Sequence, residues 1–213
     1  IRKVVIGVDS NGTPVTVVCC DNLTQNGALV CGLVVSLANL RDPSLADWIG
    51  REIAFPSTMV DRIVPATTGD DITGNNRALG VEDAAPVVHE PFRQWVIEDR
   101  FAAGRPAWDA AGATLVHDVD PYEAMKLRLL NASHSALAYL GFLAGYEFIY
   151  EVATQPDFIA FVRRYTADEV SPSLVTPAGV DLGAYREALV RRFANPALPH
   201  RTQQIAMDGS QKL

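Results

Sequence analysis

The sequence predicts an α/β chain in which strands and helices alternate through about residue 118 and helix alone follows. Three observations predict it. Short β-branched runs lie between turn signals in the first half. Apolar residues recur at three- and four-residue spacing from Asn26 and again after Pro121. The composition changes near Val119, which sets a boundary between residues 1–118 and 119–213.

In chain order, Val15–Cys20 reads as a buried strand ended by the polar cluster Asp21–Asn26. Leu29, Leu33 and Leu37, with Val30 and Val34 beside them, then mark a helix. Asp42-Pro43 opens a second helix through about Ile53, with Pro43 at an early position where its missing N–H does no harm. Arg62–Val64 reads as a short strand. Ala66–Asp83 is polar and Gly-rich, with one short helix near Ile72–Leu79. Val87–His89, Gln94–Ile97 and Thr114–Val116 read as strands, separated by turn signals at Pro91 and at Gly104–Pro106. No internal repeat or low-complexity tract occurs.

The 213 residues suffice for one large or two small domains. Hydrophobic residues make up 48% and charged residues 20%, an ordinary globular balance. The net charge of −7 and a pI near 5.0 argue against a nucleic-acid binder, which needs a basic face to displace counterions. The apolar segment Leu29–Leu37 is too short to span a membrane, and no leader peptide is read. Cys19, Cys20 and Cys31 form no CxxC pair and no disulfide framework, so reduced cysteines and a cytoplasmic location are expected. The chain opens on Ile1 and stops at Leu213 after a polar run, so a piece of a longer protein is expected.

The helix that begins at Asp120-Pro121 carries Glu123, Lys126, Asn131 and His134. At about 100° per residue, with Lys126 at zero, these lie near 60°, 0°, 140° and 80°, one face of roughly 140°. Leu127 and Leu130 fall within that face, so a semi-buried pocket wall is expected. Desolvation disfavours an ammonium, and a lysine tuned towards about 7–8 can act as a general base. An Asn amide can donate to a developing alkoxide. His134 can hold a substrate hydroxyl, and Glu123 can relay a proton from Lys126. The same residues also fit a surface Glu123–Lys126 pair worth a few tenths of a kcal/mol beside a half-buried histidine. The helix alone leaves both readings open.

Several runs together carry a resemblance. Cys20-Asp21-Asn22 with Asn26-Gly27 is one, and Phe55-Pro56-Ser57-Thr58-Met59-Val60-Asp61-Arg62-Ile63 is the next. Trp95-Val96-Ile97-Glu98-Asp99 with Gly104-Arg105-Pro106 is a third. Met125-Lys126-Leu127-Arg128-Leu129-Leu130-Asn131-Ala132-Ser133-His134 and Asp208-Gly209-Ser210-Gln211-Lys212 complete an ordered set. The set resembles the mannitol dehydrogenase family of polyol and uronate dehydrogenases.

That resemblance implies the end of a Rossmann-type dinucleotide-binding domain with extra strands, followed by an all-helical C-terminal domain. It implies a zinc-independent enzyme using NAD or NADP on a small sugar acid or polyol, with no nucleic-acid or membrane partner. By resemblance Lys126 is the base, Asn22 and Asn131 polarise the reacting oxygen, and Glu123 lies on the proton path. Asp61, His134 and Lys212 match substrate-contacting positions. Ala132 stands where the family usually has Gly. Gln204 stands where mannitol dehydrogenases proper carry an arginine four residues before Asp208-Gly209-Ser210, so this chain looks more like the fructuronate reductase (mannonate oxidoreductase) branch. Arg201, His134 and Lys212 would then face a uronate carboxylate, which an arginine fork suits; Arg201 also fits an ordinary helix-surface cation. The Gly-x-Gly-x-x-Gly fingerprint does not occur, so cofactor-binding residues are expected upstream. Oligomeric state is left open.

Two other classes are weighed against the dehydrogenase. One is a non-catalytic interaction domain, motivated by the missing fingerprint and opposed by the Lys126–Asn131–His134 set. The other is a metal enzyme using Cys19 or Cys20 with His89, which no ligand spacing supports; no metal is expected.

Overall fold

A computed structural model describes residues 14–207. The chain divides into two compact units, residues 1–61 with 93–123 and residues 62–92 with 124–213.

In the first unit, helix α1 (Asn26–Asn39) and helix α2 (Pro43–Glu52) pack through Val30, Val34, Ala38, Ala46 and Ile49. Val15 and Val17 lie against the same cluster. The Asp42 side chain caps α2 by accepting from Ser44 N at 2.9 Å, with Pro43 in the first turn. On α1 the expected leucine stripe faces outward: Leu29, Leu33 and Leu37 are exposed, and the valine-alanine side is covered. The helix is apolar all round, so spacing alone does not choose its buried face.

Three strands form one sheet in the order β1 (Thr58–Asp61), β2 (Gln94–Glu98), β3 (Thr114–Val116). β1 pairs antiparallel with β2, Asp61 opposite Gln94; β2 pairs parallel with β3, Val96 opposite Thr114.

Three strand expectations are corrected. Val15–Cys20 makes only a parallel bridge at Thr16 and Ala54, with Val17 N donating to Ala54 O and Ala54 N donating to Val15 O. The next donor of that ladder would be the nitrogen of Pro56, which carries no hydrogen. The strand expected at Arg62–Val64 lies upstream at Thr58–Asp61. Val87–His89 also forms no ladder; beside it one backbone bond runs from Glu90 N to Ile63 O, and the His89 and Glu90 side chains meet Arg62 and Ile63 N. Pro65 and Pro86 beside them supply no donors.

In the second unit, α3 (Gly69–Leu79) starts on a reciprocal capping box between Thr68 and Asp71. Among the described residues the chain from Asp120 carries helices joined by turns and no strand. α4 (Asp120–Met125) belongs to the first unit through Glu123, and the second unit continues with a wide turn (Lys126–Asn131) and α5 (Ala132–Leu143). α6 (Ile149–Val152), α7 (Pro156–Arg164), a second wide turn (Tyr165–Val170), α8 (Leu182–Phe193) and α9 (Thr202–Met207) follow. Leu129, Leu137, Ile149, Val152, Leu189 and Ile205 form the core of this unit. Gly141 on α5 lets α6 approach; a Cβ there would lie 2.3 Å from Val152 Cγ2.

Candidate active site

In the first unit, Asn22 lies exposed in the turn after Cys20, and its backbone N–H donates to Asp21 Oδ1 at 2.8 Å. Asn26 holds that turn. Fully buried, its amide donates to Cys19 O at 3.3 Å, Asp21 O at 2.9 Å and Thr58 O at 3.0 Å, and its Oδ1 accepts from Thr58 N at 2.9 Å. One side chain thus ties the Asn22 turn to the start of β1. Gly27 beside it must lack a Cβ, which would fall 2.6 Å from Phe55 O and Pro56 C.

Glu123 accepts from Gln25 N, at 3.1 and 3.2 Å to its two carboxylate oxygens. Gln25 sits at φ 50°, the only non-glycine with positive φ among the described residues, so this bond fixes a residue in a costly conformation. The structure therefore brings Glu123 to the segment that carries Asn22. Asp61 is buried at the end of β1.

In the second unit, Lys126, Asn131 and His134 share one helical stretch, but not the regular α-helix assumed from spacing. Ala132 N donates to Leu127 O, five residues back. Such a turn inserts about one residue's worth of rotation, about 100°, into the helix. Relative to Lys126, Asn131 moves from about 140° to roughly 50°, and His134 from about 80° to roughly 20° on the other side. The three residues narrow from a face of roughly 140° to a stripe of roughly 70°. Wide turns of this kind concentrate at functional sites. Lys-Leu-Arg-Leu-Leu-Asn contains strong α-formers, so the turn is set by tertiary packing, here against the second wide turn at Tyr165–Val170.

Lys126 and His134 are each 8% exposed. The His134 ring stacks on Phe193 at 5.0 Å and meets His200 edge-on at 5.1 Å. Arg201, next after His200, is exposed, pairs with Glu147 and lies 5.4 Å from the Phe148 ring centroid. Lys212 and the run Asp208–Lys212 fall outside the described residues.

For metal chemistry, burial and then the neighbouring Cys19 push the Cys20 thiol up, away from the thiolate a metal ligand requires. Among the described residues no three His, Cys, Asp or Glu side chains converge. No helix among them is long and apolar enough to cross a membrane.

Comparison with known proteins gives the family. Residues 7–110 match the mannitol dehydrogenase Rossmann domain and residues 118–213 match the mannitol dehydrogenase C-terminal domain. The chain belongs to the mannitol dehydrogenase family. Its fold is the later part of a Rossmann-type domain followed by the family's helical domain. It is 53% identical over 198 residues to D-mannonate oxidoreductase of Escherichia coli, covering 93% of this chain and 41% of that protein. It is 44% identical over 203 residues to mannitol 2-dehydrogenase of Aspergillus terreus, covering 94% and 40%. A substrate-free D-sorbitol dehydrogenase crystal structure superposes with TM-score 0.89 at 40% identity over 96% of this chain and 42% of that one. The Pseudomonas fluorescens mannitol 2-dehydrogenase complex with NAD and D-mannitol does so with TM-score 0.79 at 45% identity, covering 89% and 39%. The chain spans about two fifths of the length of these relatives.

Residues Gln25, Asn26, Glu90 and Arg192 were not singled out by sequence reasoning. Asn26 belongs to a family run, and its full burial distinguishes it from the exposed amides nearby. Glu90 and Arg192 are 102 residues apart, and no local pattern links them.

Proposed function

We propose that the protein is an NAD(P)-dependent, zinc-independent oxidoreductase that interconverts a secondary alcohol and a ketone on an acyclic sugar acid or polyol. The observation that carries the reading is the Lys126–Asn131–His134 stripe, aligned by the wide turn and holding a buried amine. NAD or NADP, when bound, supplies the hydride acceptor. The Gly-x-Gly-x-x-Gly turn that would grip its phosphates does not occur in this sequence; Lys126, Asn131, Asn22 and Glu123 serve the proton side of the reaction, and their donor set fits that half. Lys126 Nζ takes the proton from the substrate hydroxyl as a general base. The amides of Asn131 and Asn22 donate to the oxygen as negative charge develops on it. Glu123, three residues before Lys126, passes that proton outward. Asp61, His134 and Lys212 hold substrate hydroxyls.

Fructuronate–mannonate is the preferred pair, with mannitol–fructose second. The preference is supported by Gln204 and Arg201, and by the 53% identity to a D-mannonate oxidoreductase. Arg201 already pairs with Glu147, so a uronate carboxylate must replace that partner. We place the boundary of the nucleotide-binding portion at residues 118/119, supported by family matches that end at 110 and begin at 118. We infer a cytoplasmic location from Cys19, Cys20 and Cys31, whose spacing fits no disulfide framework.

The test is NADH oxidation by the complete protein with fructuronate and fructose side by side, repeated with Arg201→Gln. A clear rate with fructuronate that Arg201→Gln lowers selectively, through KM, is expected. A fructose rate that dominates and is insensitive to Arg201 would overturn the substrate preference.

A further inference from the structure

We propose that Glu90 is a positioning residue for His134, acting through Arg192. The proposal deepens the functional reading above, because it concerns a residue placed there against the substrate.

Glu90 is 2% exposed, and its carboxylate accepts from Arg192 Nε at 3.1 and 3.0 Å and from Arg192 Nη2 at 2.7 Å. It also accepts from the backbone N–H of Ile63 at 2.6 Å. The Arg192 guanidinium, itself buried, lies 3.9 Å from the Phe92 ring centroid. Both charges are out of water, with the bidentate geometry that only an arginine fork provides. A buried pair of this kind gives little net stability relative to a well-packed apolar replacement, so geometry is what it secures.

The geometry it secures is a slot around one imidazole. Arg192 closes the last turn of α8, and the next residue, Phe193, carries the ring on which His134 stacks. Ile63, held through its backbone by the same carboxylate, joins Arg192, Phe193, Leu198 and His200 in lining the cavity beside His134. That cavity is only about 10 Å³. Space on this scale admits about one water at most, so these side chains lie close around the His134 ring. Glu90 fixes two of those walls at once, Ile63 directly and Phe193 through Arg192.

The experiment uses the complete protein with isotope-labelled histidine. The ring resonances of His134, assigned by difference with His134→Gln, are compared among the parent, Glu90→Gln, Arg192→Lys and Val162→Ala. Val162 is buried in the same unit, does not line the cavity, and controls for a general loss of packing. Glu90→Gln and Arg192→Lys are expected to displace the His134 resonances, and Val162→Ala to leave them in place at a similar fall in Tm. KM is expected to rise about tenfold in Glu90→Gln while kcat changes less than about threefold, the pattern of lost substrate binding. Unmoved His134 resonances in folded Glu90→Gln would overturn the proposal, whatever happens to KM. Displaced resonances with an unchanged KM would uphold the positioning and instead sink the assignment of His134 to substrate. Should Glu90→Gln fail to fold, Arg192→Lys, which keeps the charge, carries the same two outcomes.

Discussion

Replacing Asn26 with Asp changes one NH2 group into an oxygen and nearly nothing else in shape, and the surroundings make that change severe. The Asn26 amide nitrogen faces three backbone carbonyls, those of Cys19, Asp21 and Thr58, at 2.9–3.3 Å. In the aspartate the same position becomes an acceptor facing acceptors, at a site with no solvent exposure. Lost donors at a buried site cost about 1–3 kcal/mol. Ionisation adds more, because burial and the carbonyl dipoles both disfavour the anion and raise the folded-state pKa. The folded protein then holds its proton more tightly than the unfolded chain, whose Asp titrates near 3.9. The extra penalty is absent below about pH 4 and grows by about 1.4 kcal/mol for each pH unit until the raised folded value is passed. A rise of three pH units would bring it to about 4 kcal/mol. The assay is the urea midpoint of Asn26→Asp relative to the parent at pH 5 and pH 8, with Asn26→Ala as the uncharged control. Asn26→Asp should lose ground steeply between the two pH values and Asn26→Ala should not. An Asn26→Asp protein as stable as the parent, or destabilised equally at both pH values, would refute the reasoning.

Further outcomes follow from local geometry. Gly141→Ala should cost about 1–3 kcal/mol through the Cβ–Val152 clash, and Val152→Ala should recover part of it, making the pair non-additive by about 1–2 kcal/mol in denaturant unfolding. Gly27→Ala should resist rescue by trimming side chains, because its Cβ would meet backbone atoms of Phe55 and Pro56; a soluble, fully stable Gly27→Ala protein would contradict the close approach. The hydrogen bond from Arg105 holds Asp99 below the usual carboxylate range. Its contribution to stability is therefore present above about pH 4 and lost as pH falls, so Asp99→Asn should flatten the acid limb of a Tm–pH profile.

What was legible in the sequence was local. Asp42-Pro43 announced α2 through an N-cap, and the Thr68–Asp71 box explains why α3 begins three residues before the expected Ile72. β2 and β3 were found within a residue of their ends because β-branched residues there are bounded by turn signals. What failed depended on partners. Val15–Cys20 has the composition of a strand, but Pro56 cannot continue its ladder, and a single sequence does not say which segment will lie alongside. Lys126, Asn131 and His134 do lie on one helical stretch, yet their angular order differs from the α-helical expectation because a packed wide turn overrode α propensity. The Glu90–Arg192 pair joins two segments that no periodicity connects. The runs shared with the family carried the rest, since an ordered set of them marks positions whose local pattern is unremarkable.

The central claim is that the buried amine of Lys126 performs the proton transfer, and the most direct measurement is turnover of Lys126→Ala in the complete protein, with and without added small primary amines. The variant should remain folded, lose about 10²–10⁴-fold in kcat, and regain part of it with amine concentration. Near-parent turnover in the folded variant would contradict the claim and leave the Asn131–His134 stripe without its base.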